Sequence, residues 1–243
     1  CALPILQLIT DKGMPFGYVE AYKALRTNLD FMAGSMDVHT LVITSTVPEE
    51  SKSNVAVNLA LTLAESGKKV ALVDCDLRKP VLHRYLKAGH NVKGVSNVLS
   101  NQCTLDETLQ ELKEMNLTFL PAGTPPPNPS EMLSQPQMQA MVNTLREKFD
   151  VVIFDAPPVS VVTDAAVIGR YVDGAMFVVR SDYAPADAVR GAVKKLQDAG
   201  VRVLGSVLTR YDMKKALKGS SYAYSYAYNY NYAYENQKAD VAE

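Results

Sequence analysis

Four groups of side chains in this chain have the chemistry and spacing for work on phosphate. Lys52-Ser53 sets an ammonium beside a hydroxyl, and Asp74-Cys75-Asp76 sets two carboxylates two residues apart. Asp155 closes the apolar run Val151-Val152-Ile153-Phe154, and tyrosines recur at Tyr222, Tyr224, Tyr226, Tyr228, Tyr230, Tyr232 and Tyr234. An ammonium neutralises phosphate oxygens, while a hydroxyl and carboxylates suit a hard cation such as Mg²⁺. A carboxylate can also accept the proton of a phenol, whose own pKa lies near ~10.

The elements predicted around these groups would bring them together. Leu41 to Ile43 is a short apolar run of buried-strand type, Thr44 to Ser51 holds turn formers, and Asn54 to Glu65 spaces Val55, Leu59 and Leu63 as a helix does. Gly67 closes that helix and Val70 to Val73 makes the next strand. Strand, loop and helix with Lys-Ser at the helix start is the layout of a phosphate-binding loop. Its cradle would be Val47, Pro48, Glu49, Glu50 and Ser51, with Lys52, Ser53 and Asn54 in the first helical turn. Lys52 would reach the β/γ oxygens and Ser53 would ligate Mg²⁺. The pattern G-x-x-x-x-G-K-[ST] asks for glycine where Thr46 and Ser51 stand, and Glu49 and Glu50 are expected to set two carboxylates beside an anion site. An ordinary exposed helix start is the plain alternative for Lys52-Ser53.

Asp74 and Asp76 end a strand next to that loop, where open α/β sheets bind ligands. Asp155 ends another apolar strand in the form of a Walker B element, whose acid holds the Mg²⁺ shell. Further along, helix 163–169, strand 174–180, helix 185–198 and strand 201–208 continue the alternation. The expected fold is α/β: a mostly parallel, doubly wound sheet of P-loop NTPase type with helices on both faces. Residues 81–115 read as surface helices and turns. The expected divisions are an extended lead-in over 1–16, a P-loop domain over 17–218 and a flexible tyrosine-rich tail over 219–243.

The 243 residues, 47% hydrophobic, suffice for a sizeable core. A formal net charge of −1 gives no sign of bulk nucleic-acid binding, although Arg210, Lys214, Lys215 and Lys218 form a local basic cluster. Cys1, Cys75 and Cys103 are odd in number and far apart, which suits a reducing compartment. No apolar run reaches the roughly 18–20 residues of a membrane span. From Gly17 an amphipathic helix carries Glu20, Lys23 and Arg26 along neighbouring turns, either as a solvated face or as a charged seam for another subunit.

Taken together, EAYKALRTNL (20–29), TSTVPEESKSNVAVNLA (44–60), VALVDCDLRKP (70–80), PPNPSEML (126–133), VVIFDAPPV (151–159) and the tyrosine tail resemble the bacterial tyrosine kinases. These are the cytoplasmic domains of Wzc-like polysaccharide co-polymerases. The resemblance implies ATP and Mg²⁺ as cofactors, with Lys52 and Ser53 in the phosphate loop, Asp74 and Asp76 as the second acidic motif and Asp155 as Walker B. Lys52, Asp74 and Asp76 would be catalytic, and Ser53, Asp74 and Asp155 would hold the metal. Which of Asp74 and Asp76 is the base stays open. Glu20, Lys23 and Arg26 match a Glu-x-x-Arg-x-x-Arg seam of ring assembly, with lysine replacing the first arginine. Arg210 stands near the adenine, where relatives often have asparagine.

The function so implied is autophosphorylation of the tail tyrosines in trans within a ring-like homo-oligomer, an octamer by resemblance, regulating exopolysaccharide synthesis and export. Expected partners are a membrane co-polymerase segment, in the same or a partner chain, and a tyrosine phosphatase; nucleic acid is not one. The expected location is the inner face of the cell membrane, reached through a segment absent from this chain. Two other readings stay open: an ATPase of partitioning or positioning type, whose relatives carry an extra lysine where Val47 sits, and a nucleotide-free scaffold displaying its tail.

Overall fold

The computed structural model describes residues 7–89 and 92–211. Along them run α1 (Phe16–Met36), β1 (Thr40–Ser45), α2 (Lys52–Glu65), β2 (Val70–Asp74), α3 (Leu82–Tyr85), α4 (Val95–Leu99), β3 (Gln110–Leu112) and β4 (Leu117–Leu120). There follow α5 (Pro129–Leu133), α6 (Pro136–Lys148), β5 (Val151–Asp155), α7 (Asp164–Gly169), β6 (Gly174–Arg180), α8 (Ala186–Asp198) and β7 (Val203–Thr209). The strands of the described residues form one sheet in the order β3-β4-β2-β5-β1-β6-β7, with only β3 antiparallel to its neighbour. This is the expected mostly parallel α/β architecture. The tyrosine tail, Lys214, Lys215, Lys218 and Cys1 lie outside the described residues.

Every residue of β1, β2 and β5 is buried, which is why these strands read as unbroken apolar runs. Successive side chains go to opposite faces. Leu41, Ile43, Leu72 and Ile153 join one core with α1 and α2. Val42, Val73, Phe154 and Phe177 join the other with α6, α7 and α8. Helix α2 is buried from Val55 to Ala64, and its alanines let it sit close between the sheet and α1. It stops at Gly67, whose φ of 89° reverses the chain and whose N–H donates to the Ala64 carbonyl at 2.9 Å.

The helix after β1 covers one face and the helix after β5 the other, yet β1 and β5 are neighbours. Their outgoing loops therefore diverge and open a crevice at the carboxyl ends of the strands. Register places Asp155 beside both Ile43 of β1 and Asp74 of β2.

Residues 81–115 depart from the expected surface role. Leu82, Leu86, Val95 and Leu99 are buried in the two cores, and β3 lies here as the antiparallel edge. Elements of three to five residues are too short to show a period, so their apolar side chains read as scattered.

Candidate active site

The phosphate loop keeps its shape without glycine. Ser51 stands at φ 72°, ψ 20° and Glu49 at φ 69°, both left-handed, and an L-residue held there costs on the order of 1–3 kcal/mol. Hydrogen bonds from three strands hold the loop in that shape. The buried Glu50 carboxylate accepts from the backbone N–H of Val47 at 2.8 Å and of Arg180 at 3.2 Å. The Thr209 hydroxyl, at the end of β7, donates to the Glu50 carbonyl at 2.9 Å, and Ser45 Oγ donates to the Val47 carbonyl at 2.9 Å.

This corrects the expectation that two carboxylates crowd the anion site. Glu50 spends its carboxylate on backbone N–H groups, and Glu49 Oε2 accepts from the Tyr183 hydroxyl at 3.4 Å. The Arg180 guanidinium covers the Tyr183 ring at 4.2 Å from its centroid. Nothing in the loop sequence announces this inward turn of Glu50. One of its two partners, the Arg180 N–H, lies 130 residues downstream on β6.

Beyond the loop, α2 presents the unpaired N–H groups and positive dipole end of its first turn to the crevice. Lys52 Nζ lies 3.2 Å from Asp155 Oδ1 and 3.3 Å from Asp76 Oδ2, and Ser53 Oγ donates to Asp155 Oδ2 at 2.6 Å. Burial works against the Lys52 charge, but Asp155, Asp76 and Asp74 outweigh it and raise its pKa. Burial also raises Asp155, with Lys52 and Ser53 lowering it only in part. Asp74 is pushed up to about 8, first by burial and then by the charge of Asp155. Its two oxygens accept from the backbone N–H of Asp76 and of Leu82, each at 3.2 Å. Asp76 takes Lys79 N–H on Oδ1 and faces Lys52 with Oδ2.

The donor set fits a nucleotide with Mg²⁺. Hydroxyl and carboxylate oxygens suit that hard cation, which characteristically takes one or two carboxylates and completes its shell with phosphate oxygens and water. Among the described residues no group of three or more His, Cys, Asp or Glu could hold an ion unaided. Thr46 Oγ1, at the start of the loop, is buried without a hydrogen-bond partner. Such an orphan asks for a ligand or water.

Other expected site residues lie at varied distances from this centre. Asn54 faces α1: its Oδ1 accepts from the hydroxyls of Tyr18 at 3.0 Å and Tyr22 at 3.1 Å, and its Nδ2 donates to the Gln7 carbonyl. Arg210 follows β7 at φ 52° and is exposed. Lys23 pairs with Glu20 at 2.7 Å within α1, while Arg26 donates to the Thr62 carbonyl of α2 at 3.1 Å. The phospho-acceptor tyrosines 222–234 fall outside the described residues. Sequence reasoning missed the brace behind the acids: Arg78 Nε donates to the fully buried Asp164 at 3.0 Å, and Ser130 bonds both Arg78 and Asp164. The stretches VALVDCDLRKP and PPNPSEML, quoted separately in the sequence, are joined through it.

The chain matches the AAA domain family over residues 50–172. The tyrosine-protein kinase YwqD of Bacillus subtilis is 35% identical over 203 residues, 84% of each chain. The tyrosine-protein kinase etk of Escherichia coli is 34% identical over 204 residues, which are 84% of this chain and 28% of that one. The solved kinase domain of that enzyme superposes with a TM-score of 0.75 at 33% identity, covering 80% of this chain and 77% of that chain. The septum site-determining protein MinD from Pyrococcus horikoshii, complexed with Mg-ADP, shares the fold at a TM-score of 0.62 and 23% identity, over 71% of this chain and 70% of that one.

Proposed function

The chain belongs to the bacterial tyrosine-protein kinase family, and from that premise we propose that it moves the γ-phosphoryl group of ATP onto the tyrosines at 222–234 of a neighbouring copy. The observation that carries this is Lys52 at the head of α2, within 3.3 Å of both Asp76 and Asp155. Phosphoryl transfer needs positioning and charge neutralisation more than covalent chemistry. In the step, a phenol oxygen bonds to the γ-phosphorus and the bond from that phosphorus to the bridging oxygen breaks. ADP leaves, and the phenol proton passes to a carboxylate.

Asp76 suits the role of base better than Asp74. Asp74 is 1% exposed and both its oxygens accept backbone N–H groups, whereas Asp76 keeps an oxygen toward Lys52 and the crevice. Asp74 then orients the turn that carries Asp76. Lys52 would turn from its carboxylate partners to the phosphates, and Ser53, Asp74 and Asp155 would hold Mg²⁺, which neutralises phosphate oxygens when bound. Val47 to Asn54 would present the loop backbone to the phosphates, and Arg210, exposed just after β7, would approach the adenine.

The position of β7 at the edge of the sheet supports transfer between copies. A segment running from the end of β7 to Asp76 of the same chain would have to pass the ends of β6, β1 and β5, over the nucleotide. A neighbour's tail avoids that path. The ring that supplies it, an octamer, would use Glu20 and Lys23 on α1, with Arg26 anchoring that helix to α2. No helix of the described residues is long and apolar enough to cross a membrane. A co-polymerase segment of the same or a partner chain would hold the kinase at the inner face of the membrane, where it regulates exopolysaccharide export and a phosphatase resets the tail. The Escherichia coli relative extends well past the matched region, which leaves length for such a segment.

Incubation of the purified chain with γ-labelled ATP and Mg²⁺ tests the reading. Label should appear on the tail, with an initial rate per molecule that rises with protein concentration. Free phosphate without labelled protein would mark an ATPase, and neither product a scaffold.

A further inference from the structure

The parallel sheet lays the site out as a row. The phosphate loop follows β1, Asp155 ends β5 and Asp74 ends β2. Next along, over the ends of β2 and β4, opens a cleft of about 440 Å³. Asp74 lines it while Asp76, two residues on, stands just outside its lining; Lys79, Val81 and Arg84 line it from the segment after β2, and Phe119 and Pro121 from the end of β4. On the opposite side of the loop, β6 and β7 brace it through Arg180 and Thr209.

In-line displacement sets the attacking and leaving oxygens on opposite sides of the γ-phosphorus. Lys52 reaches from the loop toward Asp155 and Asp76, so a phosphate chain clamped by it would run along the row from β1 toward β2, with its leaving oxygen on the β1 side. An attacker in line with that leaving oxygen would come from the β2–β4 side, where the cleft is. Its walls combine apolar surface, suited to a phenol ring, with two cations. Lys79 and Arg84 are exposed, and neither side chain has a hydrogen-bond or ion-pair partner among the described residues. Ammonium and guanidinium groups of this kind recognise phosphate.

We propose that this cleft receives the acceptor tyrosine from the tail of a second copy, and that Lys79 and Arg84 at its rim bind a phosphate already placed on the neighbouring tyrosine of the same tail. This rests on the kinase reading. In an extended chain, residues i and i+2 point the same way about 6.5–7 Å apart, and the tail sets a tyrosine at every second position from 222 to 234. One phenol in the cleft therefore brings the next to its rim. Before the first transfer the segment from Gly219 to Tyr234 carries no charged side chain, and each phosphate adds about −1.5 to −2 charges. The first modification is thus the slowest, and later ones spread from it along the ladder.

The test uses two peptides of residues 222–228 with Tyr226 as sole acceptor. Both have phenylalanine at 222 and 228, with either phosphotyrosine or phenylalanine at 224. Wild-type kcat/KM should favour the phosphorylated peptide about five- to tenfold, somewhat less than one fully formed hydrogen bond to a charged group because both cations are exposed. The double variant Lys79→Ala/Arg84→Ala should lose that preference while its Kd for ATP stays the same. Val81→Trp, which fills the cleft, should raise KM for both peptides. No wild-type preference, a preference that survives the double variant, or weakened ATP binding in it would each overturn the proposal. If wild type transfers label to neither peptide nor its own tail, the kinase reading itself has failed.

Discussion

The phosphate loop and the row of acids facing it reach a working geometry by opposite routes. The loop departs most from its expected residues, having no glycine, yet its backbone takes the left-handed turns that glycine would. Hydrogen bonds from Glu50, Thr209 and the Arg180 N–H hold it there. The acids match their expected residues, and there the arrangement rests on charge: Asp76 and Asp155 share one lysine, and the third buried carboxylate, Asp74, is pushed toward neutrality. Backbone bonding can tolerate the wrong side chain. A charge cluster cannot lose a member without shifting the rest.

Breaking the acid side should therefore have the largest effect. Lys52→Met removes the cation that faces Asp76 and Asp155 and, with it, the proposed phosphate clamp. Transfer to the tail should fall by at least ~10²–10³-fold, as for loss of an electrostatic donor. Circular dichroism and the thermal transition at pH 6 should still report a folded protein. A folded variant with an unchanged transfer rate would remove Lys52 from the chemistry.

A pH titration sharpens the same contrast with a smaller effect. The Asp74 carboxyl, ordinarily near 3.8, is raised to about 8 in the folded protein. A raised value means the folded state holds the proton more tightly than the unfolded chain. This contribution to stability is fully present below about pH 3.8 and is lost as pH rises through about 8. Tm of the nucleotide-free protein should fall between pH 5 and 8.5. Asp74→Asn should flatten that fall by up to a few kcal/mol of linkage. Asp155, raised in the same direction, keeps a residual slope. Equal slopes in the two proteins would mean that Asp74 is ionised throughout.

The same contrast governs what the sequence revealed. The strand-end acids and the alternation of α and β were legible because runs of five or more buried residues and a helix of 14 show their period. Lys52, Ser53, Asp76 and Asp155 lay where that pattern implied and meet within hydrogen-bonding distance. Short elements hid the rest: α3, α4 and β3 have three to five residues, and their burial depends on neighbours from distant strands. Long-range side-chain braces were hidden as well. Glu50 with the Arg180 N–H and Arg78 with Asp164 join residues 86 to 130 apart, and no local pattern encodes such a pair. Glu50 was misread for a general reason: a carboxylate beside an anion site looks repulsive unless its backbone partners are known.

The smallest change tests the loop's side of the contrast. Ser51 sits at φ 72°, where a residue with a Cβ is strained and glycine is not, and its side chain makes no capping bond. Ser51→Gly relieves that strain in the folded state and frees the unfolded chain, with opposing effects of about 1 kcal/mol each, so Tm should move by only a few degrees. ATP binding should respond more clearly. Without the Cβ the loop N–H groups can close on the phosphates, and calorimetry should show Kd lowered about two- to fivefold, within the ~1 kcal/mol the strain can supply. Weaker binding in Ser51→Gly would mean that the serine hydroxyl itself contacts nucleotide. The loop would then depend on its side chain as the acid row does, and the contrast between the two would fall.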